Sequence, residues 1–377
     1  MRNKLSRHSD IVFLTCTVCA FVLGAGFLLL KWRIGADTWE SDDVPPPLVD
    51  RDDIENIGTR DFIIPIDNPL FESVENARNW LMSDAPVLVF VLYDEARAYP
   101  LNILLHHEII NDTMQNRDVA ITFCPGCNSA IIFDRTVNGT SLRLGVSGYV
   151  YNSGFIMMDE ESNSYWKQFT GEAISGAYTG TILEIIPSIV VGFEAYAERY
   201  PQGLVLAGDA DNPRNYDMNP YIGYDSNPQP MLGSSHYDSR LEPLQHVLAA
   251  IVDDVPVSYP FTMLQAEGVI HDIVNDAPLV AFWMPGAVSV LDAASIEDSR
   301  DIGQTALFNR TLADGRELTF RYDNGRIYDN QTDSEWSIFG EAIRGELIGE
   351  YLYRYQSFSY FWFAWSSTYP ETLVYTE

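Results

Sequence analysis

Two cysteines three residues apart are the sharpest chemical feature of the sequence. Cys124 and Cys127 lie in the stretch Phe-Cys-Pro-Gly-Cys-Asn-Ser. This spacing brings two sulfur atoms close enough for a tight disulfide or for two adjacent metal positions. The residues that follow Cys127 are typical of a strand, which argues against the helix N-terminus that lowers a thiol pKa in thioredoxin-like proteins. We predict metal binding or thiol redox chemistry, with the two cysteines as the catalytic residues of the redox version.

Further metal ligands could come from the stretch just upstream. A helix through residues 104–111 would put His107 and Asn111 on one face. One histidine with two thiolates suits copper or zinc with an open coordination position, so the predicted metal ligands are Cys124, Cys127 and His107. The polar residues predicted to orient this centre or to bind a ligand are Glu108, Asn111, Asp112, Asn128, Ser147 and Asn152.

Other readings of the same residues stay open at this point. The cysteines could form a simple disulfide, and the histidine could be a hydrogen-bonded residue at a helix end. From another class, the chain could be a non-catalytic binding module that holds a small molecule or glycan in a cleft. A hydrolase that uses Glu108 or Asp112 as a base is a third alternative. The sequence contains no phosphate-binding loop, dinucleotide-binding fingerprint or zinc-protease motif.

Short apolar stretches separated by turn residues must position these groups. We expect strands at 87–93, 96–99, 119–123 and 129–133 because they are rich in β-branched and aromatic residues. A helix is expected to begin just after Pro100. Many short strands with a few helices predict an α+β, β-dominated fold.

An internal repeat organises most of the chain. Segments about 160 to 175 residues apart match in order, which predicts two diverged, pseudo-symmetric repeats of one unit. Matching residues include Tyr99-Pro100 with Tyr259-Pro260, Pro125-Gly126 with Pro285-Gly286, Trp166 with Trp336, and Gly171-Glu172-Ala173-Ile174 with Gly340-Glu341-Ala342-Ile343.

The reactive residue types occur in the first repeat only. Cys124 and Cys127 correspond to Met284 and Ala287, and Glu108 corresponds to a glycine. We therefore interpret the second repeat as a structural or lid-forming partner of the first.

The N-terminus indicates where the protein resides. Residues 11–30 form an uncharged run of 20 residues, long enough to cross a membrane as a helix. Basic residues precede the run and acidic residues soon follow it, which favours a cytoplasmic N-terminus and an extracytoplasmic bulk. A cleaved signal peptide is the alternative. The predicted organisation is an anchor at 1–33, an acidic, proline-rich linker at 34–61, repeats at 62–207 and 246–377, and a connector of unassigned role at 208–245.

The charge balance excludes some partners. The chain has 23 basic and 53 acidic residues, and five of the basic residues but one acid lie in residues 1–33. The remainder thus carries 18 basic and 52 acidic residues, with Lys167 as its single lysine. Nucleic acid and anionic lipid surfaces require a basic footprint, so neither is an expected partner. A surface this acidic suits a salty medium, and a halophilic source is one hypothesis.

The motifs of the first repeat resemble those of the domain of unknown function family 3179. The resemblance rests on Arg97-Ala98-Tyr99-Pro100, His107-Glu108-Ile109-Ile110-Asn111-Asp112, Cys124-Pro125-Gly126-Cys127-Asn128-Ser129-Ala130, Gly145-Val146-Ser147-Gly148 and Tyr151-Asn152-Ser153. It covers residues 62 to 375 and implies an exported or membrane-anchored protein, without a transferable activity. His106 is not part of the motif, and Gly126 replaces a residue that is usually bulkier there.

Overall fold

The computed structural model describes residues 45–152, 154–210, 213–231 and 238–376. Strand accounts for 43% of it and helix for 13%, which confirms the prediction of a β-dominated fold with few helices. The apolar run at 11–30 lies outside the described residues. Within them, no helix has the length and apolar character needed to cross a membrane.

The strands and helices have the following bounds in chain order. Up to residue 206 they are β1 (Ile54–Asn56), β2 (Phe71–Ser73), α1 (Val74–Ala77), β3 (Pro86–Leu92), β4 (Glu95–Pro100), α2 (Leu101–His107), β5 (Ile109–Met114), β6 (Arg117–Cys124), β7 (Ser129–Asp134), β8 (Thr136–Val137), β9 (Thr140–Ser141), β10 (Leu144–Tyr151), β11 (Gly154–Asp159), β12 (Tyr165–Lys167), β13 (Ala173–Ser175), β14 (Ile185–Ile186), β15 (Ile189–Gly192), α3 (Phe193–Arg199) and β16 (Leu204–Leu206). Beyond it they are β17 (His246–Val252), β18 (Val255–Pro260), α4 (Phe261–Glu267), β19 (Val269–Val274), β20 (Ala277–Met284), β21 (Gln304–Asn309), β22 (Phe320–Asp323), β23 (Arg326–Asp329), β24 (Glu335–Trp336), β25 (Ala342–Arg344), β26 (Tyr353–Arg354), β27 (Ser357–Phe361), α5 (Trp362–Thr368) and β28 (Leu373–Val374).

Residues 86–206, here the first part, form three main sheets. Their strand orders are β15-β3-β4-β16, β14-β7-β6-β5 and β10-β11-β12-β13, with β1 and β2 added at two edges. Residues 246–374, here the second part, form sheets in the orders β27-β17-β18-β28, β26-β21-β20-β19 and β22-β23-β24-β25. The strand orders of the two parts therefore correspond one to one.

Each part uses the same chain path to place its short helix. Pro100 and Pro260 end a strand and directly precede α2 and α4, where a proline lacks only an N–H that the helix would leave unbonded. Both helices stop after seven residues, at a residue with positive φ. The next strand, β5 or β19, then runs antiparallel to β6 or β20.

The segment before the first part belongs to the folded structure. β1 pairs with β10, and the backbone N–H of Leu48 donates to the carbonyl of Ile174. Ordered structure therefore begins before residue 62, inside the segment expected to be a linker.

The two parts share a hydrophobic core at their junction. The largest group of mutually packed buried residues includes Phe123, Cys124 and Cys127 from the first part and Phe361, Trp362 and Trp365 from the second. Burial of this much aromatic surface stabilises the junction strongly. The cysteine hairpin consequently lies at the junction of the parts and not at a free edge.

Candidate functional site

A tight hairpin positions the two cysteines. Cys124 ends β6 and pairs with Ser129 at the start of β7, so four residues connect the strands. The N–H of Cys127 donates to the carbonyl of Cys124 at 3.2 Å, and Pro125 occupies the position that proline favours in such turns. A turn of this kind keeps its first and fourth Cα atoms within about 7 Å, which is compatible with a disulfide. The structure contains both residues as buried thiols.

The surroundings of the two sulfur atoms differ. Burial by itself would raise the pKa of the Cys124 thiol, but hydrogen bonds from the Cys127 thiol and from the backbone N–H groups of Phe155, Cys127 and Gly126 lower it below the ordinary value. The pKa of Cys127 is raised, because its proton is held by Cys124 and because it is buried. Cys124 is therefore the cysteine of the pair that loses its proton first.

Glu108 is a buried acid next to this pair. It follows α2 with φ of 57°, a backbone region that costs free energy for any residue except glycine. Burial raises the pKa of Glu108 well above its ordinary value, and the charge of Cys124 raises it further. The carboxyl group is thus held protonated, which argues against Glu108 as a ready base for hydrolysis.

Aromatic residues of the connector cover the hairpin. The hydroxyl of Tyr224 donates to the carbonyl of Gly126 at 2.9 Å. Burial raises the pKa of Tyr221, and the charges of Glu108 and Cys124 raise it further, so its hydroxyl lies within electrostatic range of both groups. The segment at 208–245, to which the sequence assigned no role, therefore forms part of the wall of the site.

A buried glutamine connects the two strands of the hairpin. Gln168 accepts a hydrogen bond from the hydroxyl of Ser129 at 2.8 Å and donates to the hydroxyl of Thr122 at 2.9 Å. Gln168 and Cys127 also line a cavity of about 190 Å³, whose far wall comes from α5 of the second part. Cys127 is therefore the cysteine that this cavity reaches.

The structure does not assemble the predicted three-ligand metal set. His107 is buried, and its two ring nitrogens hydrogen bond to the carbonyl of Ile64 at 2.7 Å and to the hydroxyl of Tyr216 at 2.8 Å. Both nitrogens are occupied, so His107 acts as a structural histidine. Across the described segments, no cluster of three histidine, cysteine or acidic residues is arranged to hold a metal ion.

Asn111 lies on β5 and not on the predicted helix through 104–111, because α2 ends at His107, and Asp112 follows it on the same strand. The amide of Asn111 donates to the carbonyl of Leu144 at 2.8 Å and accepts from the N–H of the same residue at 3.0 Å, which joins β5 to β10. Asp112 accepts hydrogen bonds from Arg97 and Tyr99, each at 2.6 Å. These contacts give both residues a structural role.

Of the other three predicted residues, two lie beside the hairpin and one does not. Asn128 has φ of 52° and donates to Ser359 of the second part at 3.0 Å. Ser147 is buried in an irregular stretch of β10 and donates to the carbonyl of Ile156 at 2.5 Å. Asn152 forms the turn after β10 and lines the cavity that reaches Cys127. The structure thus brings Asn128 and Asn152 close to the cysteines.

Sequence reasoning missed Gln168, Tyr221 and Tyr224. For Gln168 a signal existed, because the matching position of the second part is the apolar Ile338. The connector tyrosines lie outside both parts, and only the folded chain brings them to the hairpin.

The chain belongs to the family described as "Protein of unknown function (DUF3179)", which matches residues 60–372. This confirms the family expected from the motifs. No curated protein and no solved structure matches the chain.

Proposed function

We propose that the protein performs thiol–disulfide exchange through Cys124 and Cys127. The observation that carries this proposal is the set of hydrogen bonds from Cys127 and three backbone N–H groups that lower the pKa of Cys124. A stabilised thiolate favours the dithiol form and makes the corresponding disulfide a better oxidant. A four-residue turn that holds both cysteines supports reversible closure of that disulfide.

The exchange begins at the sulfur that lines the cavity. An incoming thiolate attacks Sγ of Cys127, the bond between the two cysteines breaks, and Cys124 leaves as the stabilised thiolate. A second thiolate attacks the substrate sulfur of the mixed disulfide and releases Cys127. Two substrate thiols are oxidised to one disulfide, and the protein disulfide is reduced to a dithiol that takes up the two released protons. The reverse reaction, which consumes a substrate disulfide, restores the protein disulfide.

Glu108 has an electrostatic role in this exchange. Its protonated form places no negative charge beside Cys124, so no like charge destabilises the thiolate that leaves at Cys124.

The proposed setting is extracytoplasmic. Residues 11–30 would anchor the chain in the cell membrane, with the cytoplasmic N-terminus that the flanking charges favour. Disulfides persist in such oxidising surroundings. We also propose that the two parts are diverged copies of one unit, which their matching strand orders support.

A copper or zinc ion held by the two thiolates is the competing proposal. Two thiolates are only part of a closed zinc site, which needs four ligands.

One purification separates the two proposals. The full chain is isolated without oxygen, its metal content is measured, and the state of Cys124 and Cys127 is followed by differential alkylation and mass spectrometry. Exchange predicts a disulfide that opens with dithiothreitol and closes again with an oxidised thiol reagent, without stoichiometric metal. Stoichiometric copper or zinc that is lost in Cys124→Ser and Cys127→Ser would establish the metal centre instead. Thiols that neither oxidise nor bind metal would overturn both proposals.

A further inference from the structure

The cavity beside Cys127 limits the size of what can reach the sulfur. Its volume is about 190 Å³. Pockets for drug-sized ligands are roughly 300–1,000 Å³, whereas a cavity of about 150 Å³ holds benzene. The space therefore fits a molecule of fewer than about ten heavy atoms.

The lining combines an apolar inner wall with polar groups nearer the solvent. Phe155 is buried, and Phe169 packs against Tyr360 with ring centres 4.6 Å apart. Asn152 and Ser367 are exposed and bring hydrogen-bonding side chains to the entrance. Such a lining accepts a short aliphatic thiol whose polar end points towards the solvent.

The charge of the cavity is unusual for this protein. Lys167 lines it, and among the described lining residues none is acidic. The Lys167 ammonium lies 2.9 Å from Glu172 and 5.3 Å from the centre of the Tyr151 ring, which hold it in place. An ammonium has three N–H donors, so it can bind a second carboxylate while it keeps the first. The matching position in the second part is Ser337, which carries no charge.

We propose that the substrate at Cys127 is a low-molecular-weight thiol that carries a carboxylate, or its disulfide, and that Lys167 binds the carboxylate. This inference rests on the thiol–disulfide exchange proposed above. It places the only lysine outside residues 1–33 next to the sulfur that an incoming thiolate must attack.

Three thiols of similar size test the proposal. The oxidised full chain is mixed with 3-mercaptopropionate, 2-mercaptoethanol or 2-mercaptoethylamine, and loss of the Cys124–Cys127 disulfide is followed in a single turnover. Rates are divided by thiolate concentration and corrected for intrinsic nucleophilicity. We expect the anionic thiol to react about tenfold faster than the cationic one, as a charge contact of this kind allows. A tripeptide thiol with the same charge should react more slowly, because it exceeds the cavity.

Variants at the matched positions assign the preference to Lys167. Lys167→Gln should abolish the preference, Lys167→Arg should keep it, and Ser337→Gln should leave it unchanged. Equal corrected rates in the wild type would overturn this inference and leave the exchange activity standing. An unreactive disulfide with all three thiols would overturn the proposed function itself. A uniform loss of rate in Lys167→Gln would show that the residue is structural.

Discussion

The hairpin between β6 and β7 carries both buried cysteines, whereas the matching connection between β20 and β21 carries neither. The first connection has four residues and one tight turn. The second runs from 285 to 303 and includes a short 3-10 helix at Ile296–Asp298. Ala287 replaces Cys127, and the strand before the loop ends at Met284. The same strand order thus supports a reactive turn in one part and an extended packing loop in the other.

The residue after the short helix differs in the same way. Glu108 and Gly268 have φ of 57° and 72°, and each donates its N–H to the fourth residue before it. Glycine adopts this conformation without strain, and glutamate does not. The first part therefore retains a strained, buried acid next to its cysteines where the second part has the residue that the backbone favours.

Other positions are the same in both parts and serve the fold. Asp159 and Asp329 are fully buried and accept hydrogen bonds from the indoles of Trp166 and Trp336 at 2.9 and 3.0 Å. Each carboxylate also accepts from the backbone N–H of a serine that follows five residues later. Shared residues thus define the frame, and residues that differ between the parts mark the candidate chemistry.

Removal of the cysteines should have the largest effect. Cys127→Ala gives the first part the residue of the second and removes the sulfur that is attacked, so single-turnover disulfide exchange should be abolished. Ala287→Ser, at the matched position, should leave the exchange rate unchanged. Substantial exchange in Cys127→Ala, measured with 2-mercaptoethanol and the full chain, would contradict the claim that the exchange depends on the cysteines of the first part.

Substitution of the shared aspartates should affect stability alike. Asp159→Ala and Asp329→Ala each leave a buried indole and backbone N–H groups without an acceptor, at a cost of about 3 kcal/mol. Urea denaturation should give similar losses in the free energy of unfolding for the two variants. Asp329→Ala should still exchange at the wild-type rate under conditions where it is folded. A loss confined to one variant would show that the two turns are not equivalent.

Glu108→Gln should change the pH dependence of stability. Because the pKa of Glu108 is raised in the folded protein, its stabilising contribution is present below the ordinary pKa of 4.5 and is lost as the pH rises towards the folded pKa. The loss is about 1.4 kcal/mol per pH unit within that window, and glutamine removes it. The free energy of unfolding of Glu108→Gln, measured between pH 4 and 8, should therefore rise relative to that of the wild type as the pH increases.

A matched control is available at the end of α4. Glu267 is an exposed glutamate one residue before Gly268, and Glu267→Gln should leave the pH dependence as in the wild type. A constant difference between Glu108→Gln and the wild type over this pH range would contradict the buried, protonated state of Glu108.

Local sequence signals predicted most of the strands around the site. The strands expected at 87–93, 119–123 and 129–133 correspond to β3, β6 and β7, because alternating and apolar stretches report burial directly. The helix after Pro100 was expected to reach Asn111 but ends at His107. The helix ends where Glu108 adopts a positive φ. A glutamate in the sequence does not predict that backbone conformation.

Contacts between distant segments were beyond such reasoning. His107 was predicted to face the cysteines. One of its ring nitrogens instead hydrogen bonds to the hydroxyl of Tyr216, which is more than 100 residues away in the sequence. Tyr221 and Tyr224 reach the hairpin from the connector. The connector lies outside the two matching parts, so no sequence match indicated its position. Side-chain partners of this kind are set by the folded chain and not by local spacing.

The reduction potential of Cys124 and Cys127 tests the central claim most directly. The full chain is equilibrated in thiol–disulfide buffers of defined potential, and the disulfide between these two residues is quantified by mass spectrometry. Because hydrogen bonds stabilise the Cys124 thiolate, we predict one reversible two-electron transition above about −270 mV. A transition below about −300 mV, as in structural disulfides, or no disulfide at any potential would contradict the account.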